Sequence, residues 1–175
     1  IISYDLTIEN NWEPDFAVLE KKDLHAVKLM FVNFPHMPTG QLPSADMFQR
    51  LVDFARQHEI LLVQDNPYSF ILNDHPSSLL ATKGAMDVSL ELNSLSKSHN
   101  MAGWRVGMLA GAADRINEVL KFKTNMDSGM FLPVQLAAAK ALQLDAQWYT
   151  DLNSIYKQRQ ALMFDLVELL NCSYS

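Results

Sequence analysis

Three short apolar runs, each ended abruptly by polar or turn-forming residues, constrain the fold of this chain more than any other feature. Ala26 to Val32 (AVKLMFV) breaks at Asn33-Phe34-Pro35-His36-Met37-Pro38-Thr39-Gly40, where the prolines and the glycine forbid regular structure. Ile60-Leu61-Leu62-Val63 is followed at once by Gln64-Asp65-Asn66-Pro67-Tyr68. Val88-Ser89-Leu90-Glu91-Leu92-Asn93 alternates like a strand with one buried face, then runs into Ser94-Leu95-Ser96-Lys97. Between the first two runs, Ser44 is the expected cap of a helix whose apolar positions Met47, Phe48, Leu51, Val52, Phe54 and Ala55 recur at helical spacing. Strands alternating with helices predict an open α/β sheet, mostly parallel, in a three-layer α/β/α arrangement. Ligands of such sheets bind in the crevice beyond the carboxyl ends of the strands. Polar groups stand at three of those ends: Asn33, Asp65 with Tyr68, and Ser94 with Lys97.

The remaining segments read more simply. Ile1 to Tyr4 is short, apolar and β-branched, and predicts a strand. Asp15 is placed to cap a short helix beginning at Phe16. The stretch through Pro76 and Gly84 is irregular, with room for one short helix. Val106 to Ala110 predicts a further strand, Ala113 to Met126 a helix, and Pro133 the first turn of another that runs to Leu144. Trp148, Leu152, Ile155, Leu162, Leu166 and Leu169 predict one long amphipathic helix. The chain opens on Ile1 without an initiator methionine, and is expected to be a piece of a longer protein.

Composition excludes several classes. Of 175 residues, 49% are apolar and 19% charged, as in a soluble globular domain. The net charge of −6, without a basic cluster, argues against a nucleic-acid or anionic-membrane partner. A single cysteine, Cys172, rules out an internal disulfide framework and fits a reducing cytoplasm. No apolar run approaches the roughly 20 residues that span a bilayer. The five histidines are scattered without ligand-like spacing, so no metal site is expected.

The chemistry concentrates around Lys97. A lysine amine is a nucleophile towards carbonyl carbon and forms Schiff bases, whereas a buried ammonium is costly. Three serines surround it, and Arg105 follows eight residues later between Gly103 and Gly107. Hydroxyls and a guanidinium fork suit a phosphate. An amine for an aldehyde beside a cradle for a phosphate points to pyridoxal phosphate. Asp65 could pair with a protonated pyridine nitrogen, or cap the Asn66-Pro67 turn. Tyr68 could donate to a ligand oxygen, or pack half-buried. Taken singly, Lys97 is equally a loop lysine, Ser94 a loop serine and Arg105 a surface charge.

With these residues assembled, the chain resembles the class I/II aminotransferases of the aspartate aminotransferase superfamily, the fold-type I pyridoxal-phosphate enzymes. The motifs that carry the resemblance are Pro38-Thr39-Gly40, Asp65-x-x-Tyr68, and Ser94-x-Ser96-Lys97 continuing to Gly103-x-Arg105-x-Gly107, in the family's order. The resemblance implies that Lys97 links to the cofactor and shuttles the substrate proton. It also implies that Asp65 pairs with the ring nitrogen, Tyr68 with the phenolic oxygen, and Ser94 and Arg105 with the phosphate. It implies amino-acid and 2-oxo-acid substrates and a homodimer. Residues 1–145 would be part of the cofactor-binding large domain, and residues 146–175 a long helix leading towards an absent small domain.

Two departures stand out. The family usually has asparagine before Pro-Thr-Gly, and here that position is Met37; losing one such hydrogen bond costs about 1 kcal/mol. Tyr68 is expected to carry the role alone, or to share it with His36 or Asn33. The family's earlier phosphate-binding segment and later substrate-gripping domain are also missing, so these 175 residues alone are expected to lack turnover. Alternatives on the same fold are a pyridoxal-phosphate lyase, decarboxylase or synthase, or a non-catalytic relative. An unrelated nucleotide-binding domain is disfavoured because no Gly-rich loop follows the first strands.

Overall fold

The computed structural model describes residues 1–44 and 46–173. Its sheet holds four strands in sequence order: β1 (Leu29–Asn33), β2 (Leu61–Asn66), β3 (Ser89–Ser94) and β4 (Gly107–Gly111). The first three run parallel, as the alternation with helices predicts, and β4 returns antiparallel to β3. Asn33 pairs with Asp65, Asn66 with Asn93, and Ser94 with Gly107, so the three polar strand ends lie side by side along one edge.

Helix α1 (Phe16–Leu19) starts where Asp15 accepts the Val18 amide at 3.1 Å, the expected cap. Between β1 and β2 lies α2 (Met47–Gln57), whose predicted apolar stripe is buried throughout. It packs with Met30, Val32 and Leu62 into the main core, each such side chain contributing roughly 1.5–3 kcal/mol. The expected cap Ser44 is engaged elsewhere: its hydroxyl donates to Asp46 at 3.0 Å and its amide to Glu13 at 2.9 Å. The helix therefore begins after Asp46 without a side-chain cap. Helix α3 (Ala85–Val88) leads into β3.

A short turn, α4 (Leu95–Ser98), carries Lys97 directly after β3. Beyond β4 come α5 (Ala113–Met126), α6 (Leu132–Ala141) and α7 (Ala146–Leu169). Ala138 of α6 packs on Leu95, Met101 and Val106, bracing the loop between β3 and β4.

Two expectations need correction. Residues 1–4 form no strand; they are irregular, and Tyr4 reaches β1 by its hydroxyl, which donates to the Phe31 carbonyl at 2.6 Å. Along β3, Ser89, Leu90 and Glu91 are all buried while Leu92 is 36% exposed, so the polar face is buried as well as the apolar one and the apolar face opens at its carboxyl end. Glu91 finds hydrogen-bond donors that offset its burial. The long helix expected from the C-terminal leucines is present as α7, with Leu162, Leu166 and Leu169 exposed among the described residues. On β1, Leu29 and Phe31 alternate with the core-facing Met30 and Val32 and are likewise exposed.

Candidate active site

Asp65, Tyr68, Ser94 and Lys97 lie at or just past the carboxyl end of a strand, whereas Arg105 lies in the loop just before the amino end of β4. Lys97 Nζ sits 5.8 Å from the centroid of the Tyr68 ring, within cation–π range. This brings together an amine and a phenol that are 29 positions apart in sequence. The amine is exposed rather than desolvated, because nothing among the described residues covers the crevice at that point.

Asp65 lies on the face of β2 opposite the core, in register with Asn33 on β1 and Leu92 on β3. It opens into a cleft of about 510 Å³ that Asn33, His36 and Met37 also line. Partial burial pushes its carboxyl above the usual range, and no cation among the described residues pairs with it. Asn33 ties this wall together. Its amide donates to the Asp65 carbonyl at 2.8 Å and accepts the Met37 amide at 2.9 Å. Both ends of that side chain are thus used in holding the Pro-rich loop against β2. His36 is occupied by Thr39 Oγ1 at 2.8 Å and stacks on Trp12.

Ser94 caps α4, its hydroxyl oxygen accepting the Ser96 amide at 3.1 Å. The β3–β4 pairing and the bond from the Leu95 amide to the Val106 carbonyl (3.3 Å) bring the Arg105 turn alongside Ser94. Arg105 itself has a left-handed backbone (φ 52°) and donates to the Ala102 carbonyl at 3.0 Å, with its guanidinium exposed. Lys97 and Tyr68 form one close pair, and Arg105 lies two residues before Gly107, the β4 partner of Ser94. Asp65 stands on the neighbouring strand, facing its own cleft.

Sequence reasoning missed two supports. Helix α7 ties down both loops: Trp148 donates to the Ser98 carbonyl at 2.9 Å, one residue past Lys97. Asn153 bonds the Phe70 carbonyl and the Leu72 amide, just past Tyr68. Buried His99 hydrogen-bonds Ser98 at 2.8 Å and Tyr149 at 3.3 Å. The other support is Glu91. Its one signal in the sequence was a carboxylate inside a strand whose neighbours at both ends are polar.

The family model described as Aminotransferase class I and II matches residues 1–173. LL-diaminopimelate aminotransferase of Natranaerobius thermophilus is 39% identical over 168 residues, covering 95% of this chain and 44% of that protein. The enzyme of the same name from Aquifex aeolicus is 36% identical, covering 91% and 42%. Among solved structures, apo-BacF of Bacillus subtilis superposes with a TM-score of 0.90 at 36% identity, covering 95% of this chain and 43% of its own. The aromatic aminotransferase of Pyrococcus horikoshii superposes at 0.82 and 25% identity, covering 93% and 44%. The chain therefore spans less than half the length of these relatives. With the family's motifs at the ends of adjacent strands and a match over nearly every residue, this chain belongs to the class I and II aminotransferases.

Proposed function

We propose that the protein bearing this chain transfers an amino group from an amino acid to a 2-oxo acid, with Lys97 as its reactive amine. Membership of the family implies pyridoxal 5′-phosphate as the cofactor. The residues fit that group. The Asp65 carboxylate has no cationic partner among the described residues and is held partly from water, which favours a protonated ring nitrogen beside it. Tyr68 would donate its hydroxyl to the ring's phenolic oxygen, and Ser94 and Arg105 would hold the phosphate through charge-assisted hydrogen bonds. When bound, the cofactor supplies an electron sink for the charge left on the substrate α-carbon. The chain's own part is to present the Lys97 amine, first as a nucleophile and then as the base that takes and returns the α-proton.

The observation that carries this reading is the Lys97–Tyr68 approach at 5.8 Å. In the full-length enzyme, Lys97→Ala is expected to abolish transamination and the absorbance of lysine-linked cofactor while leaving far-UV circular dichroism unchanged. Activity within tenfold of wild type would refute it. LL-diaminopimelate, the substrate in the names of the relatives at 39% and 36% identity, is the first donor to assay.

Residues 1–145 are proposed as part of the large domain, with the segment from 146 leading to a small one; residues 174 and 175 lie outside the described residues. Turnover is proposed to need more than these 175 residues, because the matched relatives are more than twice as long. Exposed Phe122, Met126, Phe131 and Leu136 on and between α5 and α6 support a homodimer. The exposed, unpaired Cys172 supports a reducing, cytoplasmic setting. Among the described residues no helix is long and apolar enough to cross a membrane.

A further inference from the structure

Glu91 is 3% exposed and sits in the middle of β3, without a cation among its partners. Its two oxygens instead accept four hydrogen bonds. Oε1 receives the Asn66 and Asn93 side-chain amides, each at 3.1 Å, and Oε2 receives the Ser78 hydroxyl and the Leu79 backbone amide, each at 2.8 Å. A buried carboxylate is tolerated only with such a complement of donors. The network extends through Asn66 Oδ1, which accepts the Ser69 hydroxyl at 2.6 Å; Ser69 Oγ also lies 3.1 Å from the Ser77 carbonyl, and the Ser69 carbonyl accepts the Asn73 side-chain amide. Both ends of the loop from Asn66 to Leu79 are thus pinned to one carboxylate on the adjacent strand.

Tyr68 lies inside that loop, and Asp65 immediately precedes it. Successive side chains of a strand point to opposite faces. Holding Asn66 inward, on the Glu91 side of the sheet, therefore turns Asp65 outward to the open cleft. Asn66 and Ser69 are both fixed, and Tyr68, between them, is directed to the end of β3 where Lys97 stands.

We propose that Glu91 is a positioning residue of the cofactor site, setting the face on which Asp65 stands and the place of Tyr68 from beneath the sheet. This rests on the reading of Lys97, Asp65 and Tyr68 given above. Glutamine at 91 offers one acceptor oxygen and one donor nitrogen. Whichever way its amide turns, an N–H meets an N–H, either at Leu79 or at the two asparagines.

The test uses full-length holoenzyme and a spectrophotometric pH titration of the lysine-linked cofactor band, with kcat and KM measured alongside. With the cofactor bound as proposed, Tyr68 would donate to the ring's phenolic oxygen and favour its deprotonated form, so a misplaced Tyr68 would raise the midpoint. Glu91→Gln is expected to raise it by about 0.5–1 pH unit and to lower kcat about tenfold with KM changed less than about twofold. Ser78→Ala removes one of the four bonds and keeps the carboxylate; it is expected to move the midpoint in the same direction by a smaller amount, and it carries the test if Glu91→Gln does not fold. A lower melting temperature with an unmoved midpoint in the variants that fold would make Glu91 a stability residue only and overturn the proposal. A wild-type enzyme with no band lost on Lys97→Ala would instead remove the site itself, and with it any positioning role.

Discussion

Replacing Gly107 by alanine tests how closely the phosphate side of the site depends on backbone packing. Gly107 opens β4 opposite Ser94. A Cβ built there lies 2.6 Å from the Asn93 carbonyl oxygen, whereas ordinary van der Waals contact begins at 3.4 Å. The obstacle is backbone of β3, a strand paired on both sides, so it cannot swing away as a side-chain tip would. The start of β4 must give by about 0.8 Å. Overpacking of this kind costs about 1–3 kcal/mol, while loss of glycine's freedom in the unfolded chain returns about 0.4–1 kcal/mol. The expected net destabilisation is about 1–2 kcal/mol, read from urea unfolding of the full-length apoenzyme. The same shift carries the Arg105 turn away from Ser94. If one charge-assisted contact is weakened by about 1 kcal/mol, cofactor affinity falls about fivefold. A Gly107→Ala enzyme with wild-type stability and unchanged cofactor affinity would show that the β3–β4 junction yields freely and does not set the place of Arg105.

Burial holds His99 below the ordinary imidazole value of 6.5, opposed by a hydrogen bond from its ring to the Ala141 backbone. Its contribution to stability is therefore full above about pH 6.5 and is lost as pH falls towards the folded value. His99→Gln should flatten the fall in melting temperature between about pH 7 and pH 5, and parallel curves would contradict that. Leu51, fully buried in the α2 stripe, should lose about 2–5 kcal/mol on substitution by alanine. A change below about 1 kcal/mol in urea unfolding would mean that the core relaxes around the cavity.

The local pattern of residues determined the order and type of nearly all the elements, because hydrophobic periodicity and turn chemistry act over a few residues. The stripe of α2, the Asp15 cap, the span of α5 and the three polar strand ends were all legible. The places of Asp65, Tyr68, Ser94 and Lys97 at strand ends were legible too, since each follows an apolar run that forms a strand; their roles are the proposal made above. Ile1–Tyr4 misled because a strand needs a partner as well as a propensity, and Tyr4 meets β1 through one side-chain bond. Only the tertiary structure decided that the polar face of β3 is buried along with Leu90 while Leu92 is left open. Alternation marked Leu92 as the inward residue, but three of the four donors that make Glu91's burial tolerable come from Asn66, Ser78 and Leu79, which are 12 to 25 positions away. Pairing of distant segments likewise decided that Lys97 meets Tyr68 and that α7 ties down both their loops. Periodicity within one segment reports its own apolar face; the partner of a buried polar group lies in another segment, and only the folded chain brings the two together.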